Sequence, residues 1–95
     1  MSKRSEQANR PTIDPGAVLL ANGEIMQTLD RRLFEKGAGA WLSRHEIMGI
    51  ISEEYLELQL ANHLKNTTEM KNELIDIAVG CIFAVACINK NSLHW

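Results

Sequence analysis

SEEYLELQLANHLKNTTEMKNELID, residues 52–76, carries the end of one helical pattern, a polar turn and the start of a second pattern. Glu54, Leu58 and Ala61 continue the spacing begun by Ile47, Ile50 and Ile51, so a single core face runs through the first segment with Glu54 inside it. Asn66-Thr67-Thr68-Glu69 is a capping-box pattern, and Ser43-Arg44-His45-Glu46 is another just before the isoleucines begin. These signals predict a helix over about 44–63, a tight turn around Lys65 and a second helix reaching about Asn89. Helix, short turn and helix make an antiparallel hairpin.

Working outward, "GAVLLANGEIMQTLDRRLFEK" after Pro15 places Val18, Leu19, Ile25, Met26, Leu29, Leu33 and Phe34 at mixed three- and four-residue spacings, which predicts an amphipathic helix. Gly23 weakens its early turns. "KGAGAW" then supplies glycines to end that helix and turn the chain; no G-x-x-x-x-G-K-[ST] is present, so a hinge is expected and not a phosphate-cradling loop. No β-alternation or internal repeat intervenes. The expected fold is an all-α bundle of three main helices, with residues 1–14 a flexible tail and residues 15–95 the domain. Between Leu74 and Ile88 the only charged residue is Asp76, and a helix so apolar on all sides wants several neighbours. A four-helix-type core completed by oligomerisation, as a homodimer or homotetramer, is expected.

Composition narrows the function classes. A formal charge of −2 and a pI near 5.9 give no general attraction to nucleic acid or anionic lipid, so neither is expected as a partner. Cys81 and Cys87 stand about 9 Å apart along one helix axis, too far to bridge, and without a Cys-x-x-Cys they read as small buried hydrophobes. "MSKRSEQANRP" lacks the apolar stretch of a signal peptide, and the longest apolar run, Ile77 to Ile88, is shorter than the ~18 residues of a membrane span. A cytoplasmic location is expected.

The acids carry the chemistry. Glu54 and Glu57 stand at i, i+3 on the second helix, Glu73 and Asp76 at i, i+3 on the third, among leucines and isoleucines. From Glu46 to Leu64 there is no Lys or Arg, and Glu53 with Glu57 forms a like-charge i, i+4 pair costing roughly 0.2–0.5 kcal/mol. A solvated, salt-bridged face does not fit that pattern. Buried carboxylates are tolerated when paired or when they hold a metal. The hairpin is expected to bring Glu54 and Glu57 opposite Glu73 and Asp76, four oxyacids suited to Mg2+ or Mn2+.

Glu53-Glu54-Tyr55-Leu56-Glu57 followed by Glu73-Leu74-Ile75-Asp76 resembles the E-E-x-x-E … E-x-x-D signature of the MazG-like all-α nucleoside triphosphate pyrophosphohydrolases, over about residues 44–88. The resemblance implies cleavage of a nucleoside triphosphate between its α and β phosphates, giving a monophosphate and pyrophosphate with Mg2+ as cofactor, in control or cleansing of the nucleotide pool. By motif position Glu54, Glu57, Glu73 and Asp76 are the metal ligands, and Glu53 is the spare acid that orients a water or accepts its proton.

For the phosphates the candidates are Lys90, then Lys71 and Arg32, each otherwise a solvated basic residue; a neighbouring subunit is another source. Trp41 is the candidate to stack on the base, or equally an anchor packing the hinge onto the core. His45 and His63 read as helix-end residues. Two rivals remain: phosphoribosyl-ATP pyrophosphohydrolase, whose acidic motifs are similar, and a non-catalytic module that binds nucleotide or metal without turnover.

Overall fold

The computed structural model describes residues 9–94. Three helices follow in order, α1 (Pro15–Lys36), α2 (Arg44–His63) and α3 (Thr67–Asn89), an all-α bundle with no strand among the described residues. The tail assigned to residues 1–14 falls mostly on residues 1–8, outside the described residues. Residues 9–14 are exposed and lead into the cap of α1.

Each helix starts where a side chain can satisfy its first free amides. Asp14 accepts a hydrogen bond from the Ala17 N–H at 2.9 Å, and Pro15 sits in the first turn, where its missing N–H costs nothing. Ser43 Oγ accepts from the Glu46 N–H at 3.0 Å, while Glu46 Oε1 reaches back to the Leu42 N–H at 2.8 Å, one residue earlier than in a reciprocal box. Asn66 Oδ1 accepts from the Glu69 N–H at 3.0 Å. Despite Gly23, α1 is continuous over its whole length.

The turn between α2 and α3 is a Schellman motif. The Asn66 N–H donates to the Ala61 carbonyl at 2.9 Å and the Lys65 N–H to that of Asn62 at 3.0 Å, which puts Lys65 in the left-handed region at φ 55°. Asn91, also at φ 55°, ends α3 by the same motif: its N–H donates to the Ile88 carbonyl and the Ser92 N–H to that of Cys87, both at 3.0 Å. Asparagine tolerates that conformation; lysine adopts it at a cost.

Hairpin partners α2 and α3 pack antiparallel and closely: a Cβ on Gly80 would stand 3.1 Å from Ile51 Cδ1. The α2 face Ile47, Ile50, Ile51, Glu54, Leu58, Ala61 is the half-buried to buried one, as its spacing predicts. Helix α1 lies on another side of α3 and runs parallel to it, with Glu24 beside Lys71 and Arg32 beside Asp76. The backbones of α1 and α2 do not approach each other closely, whereas each packs against α3. Leu29, Ala61, Val79, Ala84 and Cys87 form the buried core, and no large side chain among the described residues is fully enclosed. By length and composition α3 alone among the described helices is apolar enough to cross a membrane.

Candidate metal centre

The hairpin register sets α2 carboxylates against one from α3. Glu54, Glu57 and Glu73 each offer a carboxylate oxygen, and the three oxygens lie within 4.8 Å of one another. Glu54 and Glu73 are half-buried, Glu57 is exposed at the rim, and Glu54 Oε2 and Glu73 Oε2 are shut off from water without a hydrogen-bond partner. The carboxyls of Glu54 and Glu73, and of Glu57 and Glu73, approach closely enough to share a proton, so once ionised they repel.

That environment raises all three pKa values. Burial is the main cause at Glu54, with the charges of Asp76 and Glu57 adding and the Arg32 guanidinium opposing. Burial also leads at Glu73, with the contact to Glu54 and the charge of Asp76 behind it. At exposed Glu57 the hydrogen bond and charge of Glu73 come first, and nearby Glu53 adds to them. Two orphaned carboxylate oxygens inside a set of hard donors fit a divalent cation. Oxygens on opposite sides of an octahedral Mg2+ stand about 4.2 Å apart, close to the observed spread.

Asp76 does not join the three. Its Oδ1 accepts from Arg32 Nη2 at 2.5 Å, with both side chains largely covered. The expectation that these acids lack basic partners is therefore corrected for Asp76. Its partner comes from α1, 44 residues away in sequence, where a search along α2 does not reach. Glu53 is exposed on the flank of α2, one turn before Glu57, and touches the cluster only through its charge.

Arg32 and Trp41 meet in a cavity of about 410 Å3 between α1 and α2, with Gly80 and Phe83 of α3 on its floor and Glu54 and Asp76 on its wall. Trp41 is half-buried, its ring edge-on to Phe83 at 4.9 Å and 70°. The backbone around it is tied down: Ser92 Oγ donates to the Trp41 carbonyl at 2.7 Å, and the His94 N–H donates to that of Leu42 at 2.7 Å. Anchor and cavity wall are thus the same residue.

The other two candidate cations for the phosphates stand elsewhere. Lys71 pairs with Glu24 at 2.6 Å on the α1 side of α3. Lys90 caps the far end of α3, about 25 Å along the axis from Glu73, so within one chain it does not reach the acids. Sequence reading overlooked Lys36, one turn beyond Arg32 on the same cavity, and Phe83, two turns beyond Asp76. The i, i+4 and i, i+7 spacings were the available signals. Compared with family models, with curated proteins and with solved structures, the chain matches none.

Proposed function

We propose that this chain is a metal-dependent nucleoside triphosphate pyrophosphohydrolase, cleaving between the α and β phosphates to release a monophosphate and pyrophosphate. One observation supports it above the others: three carboxylates with two orphaned, buried oxygens stand beside a cavity lined by cations and aromatic rings. The resemblance of the acidic motifs to the MazG-like enzymes supports the same reading.

Glu54, Glu57 and Glu73 hold the cation, Mg2+ or Mn2+. Such an ion supplies neutralisation of phosphate charge and acidification of a bound water. The chain supplies position and proton handling. Arg32 turns its guanidinium into the cavity, where its remaining N–H groups meet phosphate oxygens, and Asp76 fixes its direction. Lys36 adds a second positive charge on the same wall. Trp41 and Phe83 give the base an apolar surface, and the exposed Glu53 carboxylate accepts the proton from the attacking water. A cytoplasmic setting, where nucleotides are abundant, belongs to the same proposal.

A module that binds metal or nucleotide without turnover is the second reading, favoured by the Arg32–Asp76 pair, which leaves three acids free where the motif implies four. Pyrophosphate release from a panel of ribo- and deoxyribonucleoside triphosphates separates the two. Release with Mg2+ or Mn2+ that falls at least a hundredfold in Glu54→Gln supports the enzyme. A folded, metal-binding parent that releases none, from these or from phosphoribosyl-ATP, supports the module.

A further inference from the structure

Trp41 lies in the linker between α1 and α2, where no helical ladder pairs the backbone, yet both of its main-chain polar groups are bonded. Its N–H donates to Cys87 Sγ at 3.4 Å and its carbonyl accepts from Ser92 Oγ at 2.7 Å, so both partners come from the C-terminal end of α3. The same hydroxyl stands 3.2 Å from the Cys87 carbonyl, bridging the linker to the last turn of the helix. Asn91 makes this possible: its left-handed turn folds the chain back and sets Ser92 beneath the linker. The linker does not fix itself. Gly37 to Ala40 are exposed, and from Ala38 to Ala40 the backbone makes no hydrogen bond among the described residues.

We propose that Ser92 is a positioning residue of the candidate site: by holding the Trp41 carbonyl it keeps the indole on the cavity wall in the orientation that receives a planar heterocyclic base. The inference rests on the nucleotide reading above and names what sets the base end of that site. With N–H and carbonyl both held, the peptide planes on either side of Trp41 have little freedom, and Phe83, edge-on at 4.9 Å, limits the ring. Without the hydroxyl the carbonyl is released, and the glycine-rich stretch before it offers no substitute.

The arrangement ties both ends of the site to one rod. Helix α3 carries Glu73 of the acidic cluster, Gly80 and Phe83 of the cavity and, at its end, the two groups that grip Trp41. Glu73 and Phe83 stand about 15 Å apart along the axis, a separation the helix keeps constant. A site built on regular elements is held more precisely than one built on loops, and Ser92 extends that precision to a residue of the linker. The fold of α2 does not need the contact, because Ser43, buried, starts that helix through its own cap.

Titration calorimetry with non-hydrolysable α,β-methylene ribonucleoside triphosphates and Mg2+ tests this, with inorganic pyrophosphate and Mg2+ as the ligand that has no base. Stacking on an aromatic ring is strong enough that Trp41→Ala is expected to weaken the nucleotide analogues about tenfold. Ser92→Ala is expected to weaken them at least about threefold while pyrophosphate binds as to the parent, and Ser92→Thr, which keeps a hydroxyl, to restore them. In a Trp41→Ala background Ser92→Ala is expected to change nothing further, because it acts only through the ring. Should Ser92→Ala not fold, Cys87→Ala, which removes the acceptor of the Trp41 N–H, carries the same expectations. Parent-like nucleotide binding in Ser92→Ala, equal weakening of nucleotide and pyrophosphate, or additive losses with Trp41→Ala overturns the proposal alone. A folded parent that binds no analogue overturns it together with the nucleotide reading.

Discussion

The α2–α3 hairpin and helix α1 are held to the molecule by different physics. The hairpin is defined at short range: two side-chain caps, a Schellman turn and a glycine that lets Ile51 lie against α3. Helix α1 docks through contacts between residues far apart in sequence, with Arg32–Asp76 and Glu24–Lys71 flanking a small apolar patch around Leu29. Contacts close in sequence form with little loop-closure entropy, so the hairpin is the natural first element to fold. The docking of α1 is the part that charge and salt adjust.

That contrast is most directly broken at Gly80. Gly80→Leu forces a branched side chain into the place where a single Cβ already stands 3.1 Å from Ile51, and is expected to destabilise the chain by about 2–3 kcal/mol in urea unfolding. Arg32→Ala is expected to cost less, about 1–2 kcal/mol, because it leaves a largely covered Asp76 without its donor. The two should differ in kind as well: Arg32→Ala loosens α1, raising amide exchange there while α2–α3 amides stay protected. Equal loss of protection in all three helices would remove the distinction.

The acidic cluster gives a pH test that bears chiefly on the hairpin, whose helices carry the three acids. Glu54, Glu57 and Glu73 have folded pKa values above their unfolded ones, so in the titration range the native state binds more protons and stability rises as pH falls. Without metal, thermal midpoints should climb as pH drops from neutral through the raised values towards the ordinary carboxylate range. Glu54→Gln should raise the neutral-pH midpoint and flatten that slope. Mg2+ or Mn2+ should stabilise the parent at neutral pH and lose its effect in acid. The smallest expected change is at the turn, where Lys65→Gly removes the left-handed strain and should stabilise by about 0.5–1 kcal/mol, measurable as a shift in urea midpoint.

Much of this architecture is legible in the sequence because it is local. Both ends of α2 and of α3 follow from caps and periodicity, and the half-buried position of Glu54 follows from its place in the isoleucine stripe. Opposing Glu54 and Glu57 to Glu73 needs only the antiparallel turn. The pairing of Asp76 with Arg32 is not legible, since no local rule says which residue of α1 will face α3 across so long an interval. The position of Trp41 is hidden for the same reason: residues 92 and 94 fix it by bonding to the linker backbone.

The gap between α1 and α2 has a mechanical meaning. The backbones of α1 and α2 do not approach each other closely, the chain leaves α1 at Gly37, whose φ of 82° suits glycine, and the Arg32–Asp76 bond helps tie α1 to α3. An anion bound by the remaining N–H groups of Arg32 would therefore bear on the side chain that also ties α1 to α3. The charge proposed to recognise a ligand is thereby also part of what holds the first helix in place.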